Sequence, residues 1–155
     1  MIQSLHFYLR TLILSVSALL LWPVFLNCQD LVFAESGSNS LLDQSYQKLF
    51  DQDYRGVIED LDAITTGKSN PRQTLMLGVS YYFELEFDKS LETLDQIREH
   101  ELKEVKDLSV YYSALSAHRA GKKREACKLA KKLAKDMASK FALEGQQRMS
   151  EWQCR

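Results

Sequence analysis

Residues 71–97 read PRQTLMLGVSYYFELEFDKSLETLDQI. In the second half, Phe87, Ser90, Leu94 and Ile97 recur at spacings of 3, 4 and 3, one face of an α-helix. The same spacings recur earlier as Tyr54, Val57, Leu61 and Ile64, and later as Lys123, Ala126, Ala130 and Leu133, at offsets of 33 and 36 residues. Those offsets also carry Ser45 onto Gly78 and Ala114, a small residue on each preceding segment. A small residue there lets two antiparallel helices approach closely, as a helix-turn-helix unit requires.

Outward from this core the chain divides into helices over 40–51, 54–66, 71–84, 87–99, 103–120, 122–137 and 139–153. Gly67-Lys68-Ser69-Asn70-Pro71 stops one helix and starts the next with Pro in its first turn. Gly121 breaks the third pair, and Ser139 is the expected N-cap of the last helix. No segment alternates with period two for long enough to suggest a sheet. Phe141, Gly145, Met149 and Trp152 give the final helix one apolar stripe, suited to covering the open end of a stack.

Within the second unit, Leu77-Gly78-Val79-Ser80-Tyr81 matches the L-G-x-x-Y of a repeat about 34 residues long. On this motif, with Ser90 and Leu94 at the Ala and Phe positions, the chain resembles the tetratricopeptide repeat family from Leu41 to about Ala138. It departs from the pattern where Thr74 replaces Trp, Val57 and Ser90 replace Ala, and Leu102 replaces Pro. The resemblance implies an all-α fold: a short α-solenoid of about three helix-turn-helix units and a C-terminal capping helix, residues 41–155.

The N-terminus reads as an address. An apolar run over 11–26 follows Arg10, and Val32-Phe33-Ala34 fits signal-peptide cleavage after Ala34. A retained anchor and a lipoprotein leader processed at Cys28 are the competing fates. All three place the remainder outside the cytoplasm, in the periplasm or secreted space, because Arg10 precedes the run and Asp30 and Glu35 follow it. Residues 35–40 read as a flexible leader.

Of three cysteines, Cys127 and Cys154 lie near opposite ends of the last two helices. Their midpoint, 140.5, falls beside the turn expected at Ser139, so an antiparallel pair brings them together. Ala130, Ala134 and Ala138 extend Cys127 into a small-residue stripe permitting the close approach a disulfide needs.

No Gly-rich phosphate loop, C-x-x-C, H-E-x-x-H or G-x-S-x-G occurs, so neither catalysis nor a cofactor is expected. His118, Cys127 and Cys154 make a poor metal set if the cysteines are bonded, and no metal is expected. With 20 Lys plus Arg against 21 Asp plus Glu, no overall charge draws the chain to nucleic acid.

Two binding surfaces are expected. By the family resemblance the first helices line a peptide groove, here Leu42, Tyr46 and Leu49, then Leu75, Val79 and Tyr82, then Tyr111, Leu115 and His118. Apolar side chains stand where the family's chaperone-tail binders carry Lys and Asn, so that activity is not expected. Charge is also uneven: Glu35–Asp107 holds 8 basic and 16 acidic residues, Leu108–Arg155 holds 11 and 4. The basic part gathers on Lys122, Lys123, Arg124, Lys128, Lys131, Lys132 and Lys135. The expectation is an exported, non-catalytic adaptor for a protein or peptide partner. The alternative is a surface-binding module whose basic helix holds an anionic membrane or envelope polymer. An acidic protein and the acidic end of a second copy of the chain are further candidate partners for the basic face.

Overall fold

The computed structural model describes residues 40–62 and 70–154. The signal segment, nearly all of the flexible leader, and the expected stretch of helix over 63–66 lie outside the described residues. Every described element is helical: α1 Ser40–Phe50, α2 Tyr54–Leu61, α3 Pro71–Phe83, α4 Phe87–Asp95, α5 Lys103–Arg119, α6 Lys123–Lys135 and α7 Ala142–Glu151. Each packs on the next, and α1 also meets α3 as α3 meets α5. The first helices of successive hairpins therefore stack on one another.

Local chemistry sets the ends. The Asp53 carboxylate accepts the Gly56 N–H at 3.0 Å and caps α2. Asn70 does the same for Arg72 at 3.0 Å, with Pro71 in the first turn of α3. The C-termini of the first helices share one device. Gln52, Leu85 and Gly121 all adopt positive φ, at 62°, 64° and 77°. The next residue then donates its N–H back across the turn: Asp53 to Lys48, Glu86 to Tyr81 and Lys122 to Ala117, at 2.8, 2.9 and 2.8 Å. Each is a Schellman turn satisfying carbonyls that the helix end leaves bare. Helix α7 ends identically, with Gln153 at φ 52° and the Cys154 N–H on the Met149 carbonyl at 2.9 Å.

Ring contacts at both ends of the last helix fix its direction. Phe141 stacks on Tyr111 at 4.7 Å and Trp152 on His118 at 4.4 Å. Helix α7 therefore runs in the same direction as α5, as the first helix of a fourth hairpin would. It was expected to begin at Ser139 but begins at Ala142. Asp136 leaves the helical region at ψ 86°, and the Ser139 hydroxyl accepts the Phe141 N–H at 3.2 Å within a turn rather than capping the helix. Those turns carry Phe141 onto Tyr111. Helix α4 likewise stops at Asp95, short of 99, where tighter bonds such as Ile97 N–H to Leu94 O (3.1 Å) replace the α pattern.

The interior is built where the small residues were expected. Ser45, Gly78 and Ala114 are all buried. A Cβ on Gly78 would stand 2.5 Å from the Leu94 side chain, which is itself fully buried. Ser90, fully buried, donates to the Gly78 carbonyl and shares a hydrogen bond with Ser116, both at 2.8 Å, so one hydroxyl ties α3, α4 and α5 together. A run of rings joins the units: Tyr54 stacks on Phe83 at 4.5 Å, Phe83 and Tyr82 meet Tyr112, and Tyr112 meets Tyr111. Each such pair contributes about 0.5–1.5 kcal/mol beyond its buried area.

Leu85 offers a direct check on the turn. It is 65% exposed, so its side chain contributes little burial, yet it occupies the left-handed region that costs a branched residue roughly 1–2 kcal/mol. Leu85→Gly should stabilise the fold by about 0.5–1 kcal/mol after the entropy of glycine is counted. A urea midpoint that rises with unchanged slope is the expected result; an unmoved or lower midpoint would contradict this turn assignment.

Candidate functional site

The nine expected groove positions divide by depth. Leu49, Leu75, Val79 and Tyr111 are buried, Leu42, Tyr46, Tyr82 and Leu115 are half-buried, and His118 is exposed. Tyr111 and His118 are the two positions covered by the rings of Phe141 and Trp152. Much of this set therefore packs between helices. Tyr82 sits in the ring cluster with edges toward Phe83 and Tyr112, and burial pushes its hydroxyl up from the usual range. Tyr81, on the opposite side, donates to Asp62 at 2.6 Å; burial first and this bond second hold its proton strongly.

Cys127 and Cys154 are joined in a disulfide with Cα atoms 5.5 Å apart, as their equal distance from the turn suggests. Two local features aim them. The Schellman turn at Gln153 folds Cys154 back toward α6 instead of letting it fray. Gly145 then allows the helices to touch: a Cβ there would lie 2.7 Å from Ala134 N and 2.9 Å from Ala130 O. Half of the predicted small-residue stripe is thus matched by a glycine opposite.

The basic residues of α6 fall into distinct groups. On one side Lys122 pairs with Asp88 at 2.8 Å, and Lys132 bonds Glu99. The bonded Lys132 holds Glu99 below the usual carboxylate range, and Asp88 raises Lys122. Lys103 of α5 reaches across in the same way to Asp136 at 2.7 Å and lowers its pKa. These partners lie 33 or 34 residues apart, so each pair joins neighbouring units. On the other side Lys123, Arg124, Lys128 and Lys131 line an open cleft of about 800 Å³ between α6 and the end of α7. The two cysteines, Met149 and Gln153 complete its lining. Lys135 lines neither surface. Sequence reasoning found the cations but missed Met149 and Gln153 as cleft residues, since their role depends on how α7 docks.

Among the described residues no group of three or more His, Cys, Asp or Glu could hold a metal ion. No helix among them is long and apolar enough to cross a membrane. No family model, curated protein or solved structure matches the chain.

Proposed function

We propose that this protein is an exported, non-catalytic adaptor of tetratricopeptide-like architecture, presenting a rigid surface to another envelope or secreted protein. The observation that supports the reading is the turn repeated at the ends of α1, α3 and α5, at Gln52, Leu85 and Gly121, together with the packing of α1 on α3 and of α3 on α5. The disulfide is consistent with an oxidising compartment outside the cytoplasm. Leu42, Tyr46, Tyr82 and Leu115 stay half-exposed along the first helices and supply apolar and aromatic contact for a partner. Crosslinking the full chain in its native envelope, then identifying what is attached, tests the proposal. A discrete protein adduct on extracytoplasmic material is expected. Recovery of the whole chain in the cytosol with its leader attached, or adducts with lipid or polymer only, would overturn it.

The competing surface-binding reading uses the basic helix over 122–135. Lys122 and Lys132 are already occupied by Asp88 and Glu99, so a flat anionic surface would find the face partly neutralised. Adaptor binding is the better supported of the two.

A further inference from the structure

Among the described residues the four cations in the α6–α7 cleft have no carboxylate partner, and no acidic side chain lines the cleft. Lys132 on the same helix, Lys122 just before it and Lys103 on α5 do have partners. Arg124, Lys128 and Lys131 follow one another at spacings of 4 and 3, so they form a single row about 10 Å long. Like charges at such spacing repel, and Lys123 and Arg124 stand in the first turn of α6, where the helix dipole disfavours cations. The arrangement costs the isolated chain stability that an anion in the cleft would restore.

From this geometry we infer that the cleft binds an acidic peptide segment of a partner protein. The inference rests on the adaptor reading and names the chemistry of its partner. Size suits an extended chain, because an open cleft of about 800 Å³ between α6 and the end of α7 has room for several residues of a strand. Spacing agrees. Alternate residues of an extended peptide recur every 6–7 Å, so two or three carboxylates fall within reach of the row. The side chains between them would lie against the Met149 thioether and the disulfide, which offer soft apolar contact, with the Gln153 amide at the edge. The precedent lies within the molecule, where Lys122, Lys132 and Lys103 of this same region all take carboxylates.

The test uses the oxidised full-length protein and a fluorescein-labelled twelve-residue peptide of alternating Glu and Ala. Anisotropy should report binding at low salt that weakens by about tenfold or more at ~0.5 M NaCl, where charges are screened within about 4 Å. Amide-exchange protection should fall on 123–131 and 149–154. Lys128→Glu/Lys131→Glu, with helicity checked by circular dichroism, should lose about tenfold or more in affinity, and Lys122→Gln/Lys135→Gln should stay within about twofold. Binding that ignores the charge reversal, protection elsewhere, or phosphatidylglycerol vesicles that bind while the peptide neither binds nor competes would each overturn the assignment. A native protein adduct that survives Lys128→Glu/Lys131→Glu would remove the cleft as its dock and leave the adaptor reading standing. Absence of any protein adduct would remove that reading even where the peptide binds.

Discussion

Replacing both Cys127 and Cys154 by Ala should lower the free energy of unfolding by roughly 3–4 kcal/mol, the loop-closure entropy expected for a crosslink of this span. The bond joins residues 27 apart and ties the end of α7 to the start of α6. Without it the unfolded chain regains the freedom of that loop. The folded state changes less, because Cys154 is also held by its N–H bond to Met149 and α7 by the Tyr111–Phe141 and His118–Trp152 stacks. Adding dithiothreitol to the unmodified protein should reproduce the loss, seen as a melting temperature lower by on the order of 10–20 °C for a domain of this size. Oxidised and reduced protein melting together would show that the two sulfurs are not bonded in solution.

The second large effect reverses a familiar sign. Glycine inside a helix ordinarily gains about 0.5–1 kcal/mol when changed to alanine. Gly145→Ala should instead lose about 1–3 kcal/mol. Its new methyl would lie within 2.7–2.9 Å of the Ala134 nitrogen and the Ala130 carbonyl oxygen, backbone atoms that cannot rotate aside. Relief requires α7 to move off α6, which also pulls against the crosslink at its far end. Chemical denaturation of the variant settles the sign, and a gain in stability would mean that the two helices sit further apart than described.

Both effects show how far the amino-acid order could be read. Apolar spacing revealed three hairpins, because Val57, Leu94 and Leu133 each occupy the same face of the second helix and all are buried. Equal distance from a turn was enough to pair the cysteines. Helix α7 was legible over 139–153, but its Schellman ending was not, because its turn carries Gln153 where only Gly121, of the four turn residues, announces a left-handed conformation. Helix ends slipped for a similar reason: Asp136 and Ser139 engage partners that local patterning does not reveal. The cluster of lysines was visible, but its division into paired and unpaired members was not. That division depends on Asp88 and Glu99, one repeat upstream, and on which way α6 turns when it docks. The groove positions were chosen by family resemblance, and several pack inward because rings from neighbouring helices meet there.

The ring-to-ring contacts between units have a thermodynamic consequence. Helices α2 and α4 are 8 and 9 residues long, below the roughly 12–15 at which a helix persists alone in water. Neither helix would persist alone, so their order depends on packing, to which the ring contacts of Tyr54, Phe83 and Tyr112 contribute. When coupling between neighbours exceeds what each contributes alone, a linear array does not fray from its tips. The expected result is a single cooperative transition, with no separate melting of the outer helices.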